Sequence, residues 1–80
     1  MTAEEIRKII SDGFTLFSFN YHSVGGGVDP FYTPEDGHSY SVFYGYSEKT
    51  VYSVDDVMSM PFFDGKSLSK IADDITDIEW

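Results

Sequence analysis

Residues 38–54, HSYSVFYGYSEKTVYSV, read as two β-strands joined by a tight turn, the hairpin around which the rest of the chain packs. Alternation puts Tyr40, Val42, Tyr44 and Tyr46 on one face of the first strand and Ser39, Ser41, Phe43 and Gly45 on the other. On the second strand Thr50, Tyr52 and Val54 alternate with Val51 and Ser53. No Asn-Gly pair fixes the register, and composition places the turn at Ser47-Glu48-Lys49. Gly45 marks a bulge, or a bare spot that another element crosses.

On the N-terminal side, residues 14–22, FTLFSFNYH, form a third strand by composition. Thr15, Phe17, Phe19 and Tyr21 share one face; Phe14, Leu16, Ser18 and Asn20 share the other. Phe14 and Leu16 are expected in the core at the helix end, with Phe17 and Phe19 buried too if the strand is doubly covered. The intervening stretch 23–37, SVGGGVDPFYTPEDG, carries three consecutive glycines, two prolines and an Asp-Gly, and reads as a flexible loop. So long a structureless connection is uncommon in a small domain and is often functional.

Helices flank the strands. Residues 1–13 carry a capping box at Thr2 and Glu5, an apolar stripe of Ile6, Ile9 and Ile10, and a stop at Gly13. Ser53 with Asp56 makes a second capping box that opens a short helix ending before Pro61. Leu68, Ile71, Ala72 and Ile75 give a third its apolar stripe, and the alternating tail 76–80 reads as extended. The expectation is a single α+β domain over 1–80: a three-stranded antiparallel sheet with an N-terminal helix and two short C-terminal helices, αβββαα.

Composition narrows the function. Zero cysteine removes disulfides and thiolate metal sites, so an apolar core must hold the fold, and 18% aromatic residues supply it. The sequence shows no signal segment and no apolar run near the ~20 residues of a membrane span, which favours the cytoplasm. Fourteen acidic against five basic residues, net −9, disfavour direct binding to nucleic acid or an anionic membrane and suit a basic protein partner. Solubility alone is the competing reason for such acidity.

Catalytic patterns are absent. His22 and His38 flank the glycine-rich stretch and fall short of a metal ligand set, so no catalytic, cofactor or metal residue is assigned. Gly25-Gly26-Gly27 lacks the Gly-Lys-Ser/Thr that completes a phosphate loop. Residues 54–80 hold seven of the fourteen acids and two of the five bases. The candidate partner-binding residues are therefore Asp55, Asp56, Asp73, Asp74, Asp77 and Glu79, with Tyr32, Tyr44 and Tyr46 as aromatic contacts. For the tyrosine face two readings stay open, core and interface, and the demands of so small a core favour the first.

A short, cysteine-free, strongly acidic α+β chain with aromatic strands resembles the small inhibitors encoded by phages and mobile elements, of which anti-CRISPR proteins, several of them DNA mimics, are the prominent group. The run Phe63-Asp64-Gly65-Lys66-Ser67-Leu68 also resembles a segment of short bacterial and prophage proteins with a strand-hairpin-helix layout. The likeness is one of size, charge and texture, and it carries over no functional residue. It implies a non-enzymatic, cofactor-free inhibitor in a bacterial cytoplasm that binds a basic nucleic-acid-handling protein, such as a CRISPR-Cas effector, through an acidic and partly DNA-like surface. The alternative is an acidic interaction or homodimerisation module with an unrelated partner.

Overall fold

A computed structural model describes residues 1–80. The chain runs α1 (Ala3–Ile10), β1 (Phe17–Tyr21), β2 (Val24–Thr33), β3 (Gly37–Tyr44), β4 (Ser47–Val51), α2 (Val54–Ser59), α3 (Leu68–Ile71), a 3₁₀ turn (Ala72–Asp74) and β5 (Thr76–Glu79). The strands form one antiparallel sheet in the order β4-β3-β2-β1-β5. The α+β class holds, but the sheet has five strands where the sequence led us to expect three. The two additions are the glycine-rich stretch, which is β2, and the tail, which pairs as β5 along the free edge of β1.

The physical reason lies in what surrounds the supposed breakers. Gly26 and Gly27 sit where two neighbouring strands press close. A Cβ on Gly26 would stand 3.0 Å from the Phe43 carbonyl oxygen and 3.1 Å from the Tyr44 ring, and one on Gly27 would overlap the Phe17 carbonyl oxygen. Glycine is needed there for close packing of backbones, not for a turn. Pro30 is tolerated because strand pairing alternates. The Gly25 carbonyl accepts from the Gly45 amide on the β3 side, so even-numbered β2 residues direct their backbone groups towards β1. β1 begins at Phe17 opposite Val28, so the missing N–H of Pro30 falls beyond its end.

Register sets the two faces. Phe17 and Phe19 of β1, Val28 of β2, Tyr40 and Val42 of β3 and Val51 of β4 lie on one face, buried with Ile6, Ile10, Val57, Met58, Phe63, Leu68 and Ile71 of the helical layer. β1 thus buries Phe17, Phe19 and Tyr21, while Phe14 and Leu16 are 71% and 51% exposed, the reverse of the expected helix-end core. Tyr40 is core and Tyr44 half-buried; Tyr32, Tyr46 and Tyr52 face solvent.

Caps and turns follow local chemistry. The Thr2–Glu5 capping box is present, whereas Ser53 accepts from the Asp56 amide without a reciprocal bond. The β3–β4 turn is Gly45-Tyr46, earlier than expected, with Gly45 at φ +59° as the first central residue of a type II′ turn requires. No helix is long and apolar enough to cross a membrane.

Candidate functional site

The helices cover one face of the sheet and leave the other open. The open face takes the alternate residues: Ser18 and Asn20 from β1, Gly25, Gly27, Asp29 and Phe31 from β2, Ser39, Ser41 and Phe43 from β3, Glu48 and Thr50 from β4, and from β5 Thr76 and Glu79, with Asp77 brought to the same side by the irregularity in the pairing. One row crosses all five strands, Glu48–Phe43–Gly27–Ser18–Glu79. At ~4.8 Å per strand its two glutamates stand about 19 Å apart.

Charge is segregated between the layers. Four carboxylates, Asp29, Glu48, Asp77 and Glu79, lie on the open face. Of the five basic residues none does: Arg7, Lys8 and Lys70 are on α1 and α3, Lys66 follows the Asp64-Gly65 turn, and Lys49 pairs with Val42 on the helical side. Some of the acid on the helical layer is neutralised locally, with Asp55 2.6 Å from the Arg7 guanidinium.

A trough runs along β1 on the open face. Its floor is Ser18, Asn20 and Gly25, Phe43 walls one side, and Asp77 and Glu79 wall the other. The floor is low because Gly25 has no side chain and nothing closer than the Asn20 amide oxygen, 3.8 Å from where a Cβ would be. Asp77 occupies the irregularity in the β1–β5 pairing at φ +50°, a conformation that Asn and Asp tolerate better than most residues. Asn20 Nδ2 donates to Asp77 Oδ2 at 2.9 Å and so orients that carboxylate. Beside the trough the Ser41 hydroxyl is buried with no hydrogen-bond partner.

The nine sequence candidates distribute unevenly. Asp77 and Glu79 are on the open face. Asp55 and Asp56 are exposed in the first turn of α2, and Asp73 and Asp74 are exposed on the 3₁₀ turn, all in the helical layer. Tyr46 projects from the β3–β4 turn, and Tyr32 sits near the β2–β3 tip with its ring 4.9 Å from that of His38. Asp29, Glu48 and Phe43 were missed, because only strand register reveals which face a residue shares.

Tyr44 serves a structural latch. Its hydroxyl donates to the Tyr21 carbonyl at 2.9 Å and lies 3.2 Å from Asp64 Oδ2, which also stands 3.0 Å from His22 Nδ1. Burial, then the Asp64 carboxylate, push the Tyr44 hydroxyl above its ordinary pKa. His22-Ser23 and Asp64-Gly65 both have positive φ at their two central positions, so the latch joins two left-handed turns. His22 and His38 belong to opposite ends of the sheet: His38 faces Tyr32, eight positions along β2 from Val24, the residue that follows the His22-Ser23 turn. No group of three or more His, Asp or Glu side chains is placed to hold a metal ion. No family model, curated protein or solved structure matches the chain.

Proposed function

We propose that the protein is a non-enzymatic binder of a basic, nucleic-acid-handling protein, and that the open face of its sheet makes the contact. One observation carries this reading: four carboxylates and no basic side chain share that face, in a molecule whose five cations are all elsewhere. Complementary potential steers such a face onto a cationic groove, and Phe43 and the low glycine floor let a partner approach closely.

Four charges over ~19 Å are about a third of what duplex DNA presents at one charge per ~1.7 Å of axis. The contact is therefore charge complementarity joined to shape rather than a full replica of a phosphate track. In the form implied by the resemblance to phage inhibitors, the partner is a CRISPR effector.

The test is competition: gel-shift titration of purified CRISPR effectors with their target DNA, adding this protein and a variant carrying Asp29→Asn, Glu48→Gln, Asp77→Asn and Glu79→Gln. The reading expects the natural protein to displace DNA at low salt, to weaken steeply between 50 and 300 mM salt, and the variant to lose most of its effect. Equal potency of the two proteins, or no salt dependence, refutes it.

A second reading rests on β4. It is an unpaired edge with Tyr46 at one end and Tyr52 at the other, both exposed, and a cleft of about 470 Å³ beside it lined by Lys49, Val51, Tyr52, Asp56 and Met60. Antiparallel pairing of two β4 edges would build a dimer. Light scattering that finds only monomer at 100 μM removes this reading.

A further inference from the structure

β4 closes the sheet on one side and pairs with β3 alone. The Gly45 amide donates to the Gly25 carbonyl of β2, so odd-numbered β3 residues bond towards β2 and even-numbered ones towards β4. Ser47, Lys49 and Val51 stand opposite those even-numbered residues, which turns their amides and carbonyls inward. The backbone groups of Glu48 and Thr50 therefore point outward, a template for another strand. On the helical side of this edge, the cleft beside α2 holds Lys49 and Asp56 together with the apolar Val51, Met60 and Pro61. The ion pairs of the chain are Arg7–Asp55 and His22–Asp64, so neither charge in the cleft is committed.

We infer that this edge takes a second copy of the chain in one register, with Thr50 facing Thr50 across a two-fold axis, an assignment that rests on the dimer reading above. Residues bonded outward pair only with residues bonded outward, so the axis falls on Glu48, Lys49 or Thr50 if most of the edge is to pair. On Glu48 it sets two carboxylates directly opposite each other, and on Lys49 two ammonium groups. Like charges so placed are destabilising. On Thr50 it sets Lys49 against Val51 and Glu48 against Tyr52, and no charge meets its like. Lysine on an edge strand commonly prevents pairing. Here Lys49 and Glu48 disfavour two registers and leave the third.

In that register Lys49 of one copy lies against Val51 of the other, a residue of the cleft that holds Asp56. Its stem covers Val51 and Met60, its ammonium reaches the Asp56 carboxylate, and symmetry makes the contact twice. The axis runs perpendicular to the sheet, so the two open faces lie on the same side. Ten strands at ~4.8 Å lengthen the acidic face from ~19 to ~43 Å.

The chain has no cysteine, so introduced thiols report the register without background. Glu48→Cys and Thr50→Cys are mixed, treated with oxidised glutathione, and their disulfides identified by mass spectrometry. The 50–50 disulfide should predominate, because a hydrogen-bonded pair has its Cα atoms about 5.5 Å apart, within disulfide reach. Predominance of the 48–48 or 48–50 disulfide overturns the register and leaves the dimer reading standing.

The charge contact is tested by mixing Lys49→Glu with Asp56→Lys. Alone, each variant sets like charges against each other at both contacts and should dimerise at least about tenfold more weakly than the natural chain. Mixed, they join opposite charges at both contacts, and the heterodimer should return to within about threefold of the natural dimer. An ion pair within one chain gains nothing from mixing, so a mixture no stronger than its components overturns the contact. Monomer alone in light scattering, with no 50–50 disulfide, removes the dimer reading and this assignment with it. Displacement of DNA by the open face is measured separately and fails separately.

Discussion

Replacing each glycine of Gly25-Gly26-Gly27 by alanine tests whether this stretch is a packed strand or a flexible connection. None of the three has a positive φ, so alanine meets no backbone strain there, and what it meets is space. At Gly25 the nearest atom to an added Cβ is 3.8 Å away, ordinary contact. The gain is the lower entropy of the unfolded chain, about 0.4–1 kcal/mol of added stability. At Gly27 the methyl would overlap the Phe17 carbonyl oxygen and stand 2.7 Å from Phe43 Cζ. The Phe43 ring can swing away, but the carbonyl belongs to a central strand, so β1 and β2 must part. Overpacking of that kind costs about 1–3 kcal/mol. The two variants should therefore differ by about 1.4–4 kcal/mol, with Gly26→Ala, where the contacts are 3.0 and 3.1 Å, between them. In a domain of this size that gap is about 6–30 °C in melting temperature. Thermal unfolding followed by circular dichroism gives the order directly. Three variants that melt within 2 °C of one another would refute the strand assignment, because a loop makes no distinction between these positions.

Ser23→Gly should raise stability by about 1 kcal/mol, because Ser23 holds φ +63° in a type I′ turn; an unchanged melting temperature would remove the strain argument. Ser41→Ala should be neutral or stabilising by up to about 1 kcal/mol, since the hydroxyl is buried without a partner; a loss above 1 kcal/mol would mean that the serine makes a bond in solution. Two carboxylates lie below their ordinary pKa: Glu5, which accepts from the Thr2 amide, and Asp12, which accepts from the Thr15 hydroxyl and the Phe14 amide. A depressed carboxylate stabilises the fold above its unfolded value, about 4, and loses that contribution as pH falls through the folded value. The double variant Glu5→Gln, Asp12→Asn should therefore be less stable than the natural chain at pH 7 and converge with it near pH 2, with parallel melting curves across that range as the contrary outcome. Tyr44 has the opposite sign: its raised pKa favours the neutral hydroxyl, so its contribution is present below about pH 10 and lost as pH rises through the folded value. Tyr44→Phe should flatten the alkaline limb of the melting profile, and an unchanged limb would count against the latch.

The parts that were legible share one property: their signal is local. The Thr2–Glu5 box, the apolar stripe of α1, the Asp64-Gly65 turn and the alternation of residues 40–44 are each fixed by side chains within a few positions of one another. The misread parts depend on partners far along the chain. Three glycines look like a hinge until Phe17 and Phe43 press against them from both sides. Phe14 and Leu16 look like core until β1 starts at Phe17 and turns the other parity inward. The tail is extended, as its alternation suggests, but its pairing as an edge strand depends on the open side that β1 offers.

The same division runs through the site. The sequence alone determined the total charge, the absence of cysteine chemistry, the aromatic supply for a core and the α+β class, since these are sums or short-range patterns. Which carboxylates share a face follows from the packing of distant segments. Glu79 shares a face with Asp29 and Glu48 because four strand pairings align them, and Asp77 joins them through the break in the β1–β5 register and its bond from Asn20, while Asp55, equally acidic in the sequence, is turned to the helical layer and paired with Arg7. The fold sorts charge by side, and side is a property of register between distant strands, which no local pattern encodes.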